Sequence, residues 1–235
     1  MGILHGNQGI VRDNLTLYYD AGNKYSYIGS GTVLNDLSGN MDTGTLENGA
    51  TYNSGNGGYI VFDGTNDHIS TMNLPSTRFD TGEFTVALWA FTSNLDDERG
   101  LISSGNSNWE TSGTWQISLK SNKLKFIIRN DAGGAQFNIS SSTSPTIDTW
   151  YYFVGTRSTG GNCKLYFNGG ELEASGTDLN SGSDIDVQKL KIGINRALNT
   201  EWQGGIAMTQ VYKGKALSAT EILRNYNVHK ERFGL

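Results

Sequence analysis

The sequence predicts an all-β fold, a sandwich of two antiparallel sheets, and three observations carry that prediction. Apolar residues recur in period two along most of the chain, glycine is frequent where proline is nearly absent, and only one segment shows helix signals. Glycine contributes 31 of 235 residues and proline two, Pro75 and Pro145. Glycine without proline marks turns between strands rather than a disordered linker.

The strands follow in order. Residues 83–91 place Phe84, Val86, Leu88 and Ala90 on one face and Thr85, Ala87, Trp89 and Phe91 on the other, so both faces are apolar, as in a central strand covered on both sides. Residues 115–119 alternate Trp115, Ile117 and Leu119. Residues 123–129 set Leu124, Phe126 and Ile128 against Lys123, Lys125 and Arg129, a strand with one wet face. Residues 150–154, 164–167 and 190–194 continue the series. After Tyr166 and Phe167, Asn168-Gly169-Gly170 supplies the positive-φ residues of a tight hairpin leading to Glu171 and Leu172.

The helix signal lies near the C-terminus. Ser218 and Glu221 form a capping box, Leu217 and Ile222 stand where a hydrophobic staple requires them, and the helix is expected from Ala219 to about Val228. Ile222, Leu223 and Tyr226 would lie against the sheets, Phe233 would anchor the tail, and Lys230 and Arg232 would complement the helix dipole or follow it closely. The Gly/Ser/Asn-rich stretches at 25–32, 53–58, 103–113, 140–144 and 175–183 are too short to separate domains. Residues 1–235 therefore read as one domain, with an N-terminal arm at 1–14 and the helix and tail at 218–235.

Charge and composition exclude several classes of function. With 18 Lys+Arg against 23 Asp+Glu the net charge is −5, which excludes an overall basic nucleic-acid binder. No window approaches the ~18 consecutive apolar residues of a membrane-spanning helix, and no membrane insertion is expected. Residues 1–14 show neither a basic leader nor an apolar run, so no signal peptide is expected, and Gly6 stands where an acylation motif wants Ser or Thr. The single cysteine, Cys163, sits in an alternating segment and reads as a buried thiol.

Nothing in the sequence assembles a catalytic set. A glycosidase needs two carboxylates about 5–5.5 Å or 6.5–9.5 Å apart. The nearest groupings are Asp96-Asp97-Glu98, read as a solvated turn, and Glu171 with Glu173, read as hairpin-edge solubility. His5, His68 and His229 are scattered without ligand spacing, and neither a G-x-S-x-G elbow nor a phosphate-binding G-x-x-x-x-G-K-[ST] loop occurs. For glycan binding, an exposed ring beside amides and carboxylates is the usual device. Trp109, flanked by Asn108 and Glu110 in a polar stretch, is the main candidate, and Tyr25 and Tyr27, for which packing is an equal alternative, are the others; each would serve a protein partner equally well. Trp89, Trp150 and Trp202 are assigned to packing.

Beyond local patterns, the run Asp20-Ala21-Gly22-Asn23, Asp36-Leu37-Ser38-Gly39-Asn40, Phe62-Asp63-Gly64-Thr65-Asn66-Asp67, then Trp202-Gln203-Gly204-Gly205-Ile206 and Asn225-Tyr226-Asn227 through Arg232-Phe233-Gly234 resembles concanavalin A-like, laminin-G-type domains over nearly the whole chain. The resemblance implies a jelly-roll of roughly a dozen strands. It also implies calcium, which relatives hold with loop oxygens. Asp63, Asn66 and Asp67 would supply them here, or else close a turn through Asx-type hydrogen bonds, and Ala207 and Met208 stand where the family often has an acid after Gly-x-Ile. No other cofactor is expected.

The same motifs look like domains of tailed-phage structural proteins. They imply a non-catalytic virion-associated structural or adhesion protein, a capsid decoration or tail-attached protein assembled in the host cytoplasm. Its partners would be capsid or tail proteins and host-surface glycan, and a homotrimer fits that role. The alternative is a carbohydrate-binding lectin module of an extracellular bacterial protein; a glycan hydrolase using Glu171 and Glu173 ranks third.

Overall fold

The computed structural model describes residues 9–73, 78–95, 98–104, 113–129, 136–180, 189–195, 197 and 199–235. Among them are sixteen strands: β1 (Leu15–Asp20), β2 (Val33–Leu34), β3 (Gly44–Glu47), β4 (Thr51–Asn53), β5 (Tyr59–Asp63), β6 (His68–Asn73), β7 (Phe84–Thr92), β8 (Arg99–Ser104), β9 (Thr114–Lys120), β10 (Lys123–Arg129), β11 (Gln136–Ser140), β12 (Tyr151–Arg157), β13 (Asn162–Phe167), β14 (Glu171–Thr177), β15 (Lys189–Ile192) and β16 (Gln203–Lys213). One α-helix, α1 (Ala219–His229), follows. Sheet 1 runs β14-β13-β12-β7-β16-β5-β4, with β1 beside β5 on the same edge of β16; sheet 2 runs β11-β10-β9-β8-β15-β6-β3-β2. Every pairing is antiparallel. The architecture is the expected two-sheet sandwich, and the strands beyond the expected dozen include short pieces such as β2 and β4.

Alternation explains which side of each strand meets the core. In sheet 2 one cross-strand row reads Leu46, Ile69, Ile192, Ile102, Ile117, Phe126, Ile139 from β3 to β11, and all seven side chains pack in the inter-sheet core. Facing it from sheet 1 are Phe84, Val86, Leu88, Ala90, Phe153 and Leu165. Cys163 is buried in the same core, and burial pushes its thiol pKa up to about 12, which makes it a small apolar filler.

The outer face of sheet 1 carries a second apolar layer, which is why β7 is apolar on both sides. Trp89, Trp150, Tyr152 and Tyr212 are covered there by Ile10 and Val11 of the N-terminal arm, by Ile222 of α1 and by Phe233 of the tail. Phe233 stacks on Trp89 with centroids 4.3 Å apart. The buried Asn225 joins these parts, accepting from Val11 N at 2.8 Å and donating to the Tyr212 hydroxyl at 2.9 Å. The helix starts as its sequence requires: Ser218 Oγ accepts from Glu221 N at 3.3 Å, a Glu221 carboxylate oxygen accepts from Ser218 N at 2.9 Å, and Leu217 and Ile222 are buried.

Arg232 departs from expectation. It reaches away from the helix end to Asp20 Oδ1 at 2.7 Å and to the carbonyls of Asn56, at 2.6 Å, and Gly58. Gly22 makes this approach possible, because a Cβ there would lie 2.5 Å from Arg232 Nη2 and 2.2 Å from the Gly57 carbonyl. The C-terminal tail is thus pinned to the end of β1 and to the β4–β5 connection.

Candidate functional site

With the Trp89–Tyr212 layer of sheet 1 covered by α1 and the tail, the outer face of sheet 2 presents a polar surface. One residue out of phase with the apolar row runs a second row: Val33, Thr45, Ser70, Lys191, Ser103, Gln116, Ile127, Asn138, from β2 to β11. Ser103, Gln116 and Ile127 are buried in its middle, while Val33 and Thr45 at one end and Asn138 at the other are exposed. Three hydroxyls, two carboxamides and an ammonium stand in this row, with Val33 and Ile127 its apolar members.

At the β3-β6-β15 end the row thickens into a quartet made of two hydrogen-bonded pairs. Glu47 and His68 are cross-strand partners, as are Ser70 and Lys191. Ser70 Oγ donates to Glu47 Oε1 at 2.6 Å. His68 Nδ1 lies 3.0 Å from the Asn66 carbonyl, which assigns the ring proton to Nδ1 and leaves Nε2 as acceptor for the Lys191 ammonium at 3.2 Å. Burial holds the Lys191 pKa below the ordinary lysine range, with Lys189 acting in the same direction and Glu47 opposing it. An apolar side chain flanks the quartet: Met72, on the same face of β6 as Ser70, is 78% exposed; Tyr25 and Ile28, in the loop leading to β2, are 85% and 74% exposed. Chemically the surface offers a carboxylate, an ammonium, an imidazole and a hydroxyl within three adjacent strands, flanked by uncovered hydrocarbon. That suits adsorption of a polar, partly apolar ligand.

The residues singled out from sequence fare differently. Tyr25 is exposed, whereas Tyr27 is buried against Tyr52 with its hydroxyl donating to the Gly31 carbonyl at 2.7 Å, so Tyr27 is a core residue and leaves the candidate surface. Trp109, Asn108 and Glu110 lie outside the described residues, as do Asp96 and Asp97. Trp89, Trp150 and Trp202 pack in the two cores.

The Asp63–Asp67 segment forms the tight turn between β5 and β6. Thr65 N donates to Asp63 Oδ1 at 2.7 Å and Asp63 N to Asp67 Oδ2 at 3.1 Å, the hydrogen bonds of an Asx-type turn. Asp67 Oδ1 is buried without a partner, and desolvation raises the Asp67 pKa, with the Asp63 charge adding to it. One unengaged carboxylate oxygen is far from the six to eight oxygens of a calcium site. Among the described residues no group of three or more His, Cys, Asp or Glu is placed to hold a metal. The arrangement fits a closed turn and does not fit calcium.

The other candidate acids are engaged elsewhere. Glu98 binds Lys120 at 2.8 Å and Gln116 at 3.0 Å, and Glu173 accepts from Ser142 Oγ and Thr143 N, while Glu171 points to solvent. The quartet itself escaped sequence reading because Glu47, Ser70 and Lys191 come from three strands distant in sequence. The available signal was the alternation Lys189-Leu190-Lys191-Ile192, which puts Lys191 on the wet face.

Residues 63–223, more than half of the chain, match the Laminin_G_3 family model, described as concanavalin A-like lectin/glucanases superfamily. Among solved structures, the chain is similar to the binding domain of botulinum neurotoxin serotype G, with TM-score 0.72 and 20% identity over 92% of this chain and 51% of that one. It is also similar to the binding domain of Paraclostridial Mosquitocidal Protein 1 (0.69, 21%, 92% and 52%). A third likeness is to the ligand binding domain of botulinum neurotoxin serotype D in complex with N-acetylneuraminic acid (0.70, 19%, 92% and 51%). At such identities the likeness shows the fold, and the chain spans about half the length of each of these structures. No curated protein sequence matches the chain.

Proposed function

The chain belongs to the concanavalin A-like lectin/glucanase superfamily, and we propose on that premise that it is a non-catalytic binding module serving as a structural or adhesion protein of a tailed-phage virion. The observation that carries the binding role is the quartet of Glu47, His68, Ser70 and Lys191 on the outer face of sheet 2, with exposed Met72 on the same face of β6. A rigid sheet presents these groups at fixed spacing, so little side-chain ordering opposes capture of a glycan or a capsid or tail protein. The phage setting is supported by the Asp20–Asn23, Asp36–Asn40 and Asn225–Gly234 motifs, which resemble virion proteins. Glycan binding is supported by the N-acetylneuraminic acid complex of a similar fold.

Two measurements test the reading. Mass spectrometry of purified virions is expected to find this polypeptide, and virions lacking it would reject the structural role. On a glycan array the wild-type protein is expected to bind and Lys191→Ala and Tyr25→Ala to lose most of the signal. Binding without virion association would favour the second reading, a lectin module of an extracellular bacterial protein. Release of reducing sugar from a polysaccharide, abolished by Glu171→Gln or Glu173→Gln, would overturn both in favour of a hydrolase.

A further inference from the structure

A separate pocket of about 400 Å³ lies at the open end of the β13–β14 hairpin. The hairpin's other end, Gly169 and Gly170, packs on Leu223, Tyr226 and Ala219 of α1. The pocket's side chains are Ser158, Asn162, Lys164, Ser175 and Thr177, over Cys163 and Gly176. Asn162 pairs with Thr177 and Lys164 with Ser175 across the two strands, so the four share one face. Three hydroxyls, one carboxamide and one ammonium converge there. No aromatic ring and no carboxylate belongs to this set.

The pocket is held open by structure beneath it. Arg157 and Asp178, each 1% exposed, face one another at 3.6 Å. Arg157 immediately precedes Ser158 and Asp178 immediately follows Thr177, so this buried pair ties the two walls together. Asp178 N donates to the Gly161 carbonyl at 2.8 Å, Ser158 N to the Asn162 carbonyl at 2.9 Å, and Thr177 Oγ1 to Asn162 Oδ1 at 3.2 Å. A buried ion pair is a poor source of stability, and fixing the rim of a site is a use that would retain it. The side chains of Lys164 and Ser175, by contrast, have no hydrogen-bond or ion-pair partner among the described residues. Among the described residues the neighbouring acids are already engaged, Asp178 by Arg157 and Glu83 by Thr159 at 2.5 Å. Among the described residues Lys164 is thus a positive charge without an ionic partner, on a chain whose net charge is −5.

We propose that this pocket binds a small acidic carbohydrate, a sugar unit bearing a carboxylate, with Lys164 taking the carboxylate and Ser158, Ser175 and Thr177 exchanging hydrogen bonds with its hydroxyls. No aromatic ring stands among the described lining residues, which disfavours a neutral sugar held by stacking. A compact phosphate would be gripped by a backbone nest or a bidentate guanidinium, whereas hydroxyls spread over two strands match a polyhydroxylated ring. The inference stands apart from the sheet 2 surface, since the pocket belongs to sheet 1 and uses none of the same residues.

The test is backbone-amide NMR titration of the whole chain with sodium glucuronate, glucose, sodium acetate and sodium phosphate. Glucuronate is expected to shift amides of residues 158–164 and 175–177 saturably, with glucose and acetate each weaker by about tenfold or more. Lys164→Gln, at an exposed position that leaves folding intact, is expected to weaken glucuronate by about tenfold. Ser175→Ala keeps the charge and is expected to weaken glucuronate while leaving acetate unchanged. Glucose binding as well as glucuronate, retention of affinity by Lys164→Gln, or shifts confined to other segments would each overturn the proposal. Phosphate competing as strongly as glucuronate would replace it with a site for compact anions. Neither result bears on Lys191 and Tyr25, so failure here is distinguishable from failure of the proposed function.

Discussion

Replacing Arg232 by Met removes one guanidinium that joins the tail, the end of β1 and the β4–β5 connection, while keeping most of the apolar stem. The side chains of Arg232 and Asp20 are only 18% and 9% exposed, so the change strands a nearly buried carboxylate. Breaking such a pair from one side costs about 3–5 kcal/mol. Asp20 retains the Gly22 N–H at 2.9 Å and the Tyr18 hydroxyl at 3.4 Å, which places the expected loss at the low end, about 3 kcal/mol. With a urea m-value of about 3 kcal/mol/M, the midpoint falls by about 1 M, and Tm falls by about 6–12 °C. Adding Asp20→Asn removes the stranded charge, so the double variant is expected to lose clearly less than the sum of the two single variants. A midpoint shift under about 0.3 M, the scale of an exposed pair, or strict additivity in the double variant, would refute the claim that the tail is fastened by this contact.

Two pH dependences follow from other sites. Thr159 hydrogen bonds lower the Glu83 pKa; at Glu221 and Glu173 desolvation acts upward but is outweighed, by Lys215 and Ser218 in the first case and by Ser142 and Thr143 in the second. Carboxylates lowered in the folded state stabilise above the ordinary value of 4.5 and lose that contribution as pH falls through their folded values. Urea midpoints should therefore drop between about pH 5 and pH 3, and Glu83→Gln should flatten the slope. His229 behaves differently: desolvation takes its pKa from 6.5 down to about 4, with Arg232 also lowering it and Asp20 opposing. Its contribution is complete above pH 6.5 and is lost as pH falls toward 4, roughly 3 kcal/mol in all. A His229 ring titrating at 6 or above by NMR would contradict this.

The parts of the fold legible from sequence are those where one local pattern determines burial. The alternation in β7, β9 and β10 and the box at Ser218–Glu221 each place side chains without reference to distant residues. Short edge strands such as β2 and β4 were invisible, because two or three residues carry no period and their pairing is decided by β3 and β5. The loop aromatics show the same limit: Tyr25 and Tyr27 stand two apart, yet one ring is in solvent and the other in the core, since an irregular backbone imposes no common face. The pin at Arg232 is unreadable for a related reason. Its partners, Asp20, Asn56 and Gly58, are brought to it only by the finished sandwich, so a basic residue near a helix end reads as a dipole partner.

The strand β16 has a consequence for how the chain reaches this state. It pairs with β7 along one edge and divides the other between β5, through residues 203–206, and β1, through residues 208–212. Until this late segment arrives, three earlier strands each lack their keystone neighbour, and their open hydrogen-bonding edges wait across a sequence separation of well over a hundred residues. Assembly of sheet 1 is accordingly slow to nucleate and vulnerable to intermolecular strand capture during synthesis, and the last quarter of the polypeptide acts as the zipper that ends that exposure.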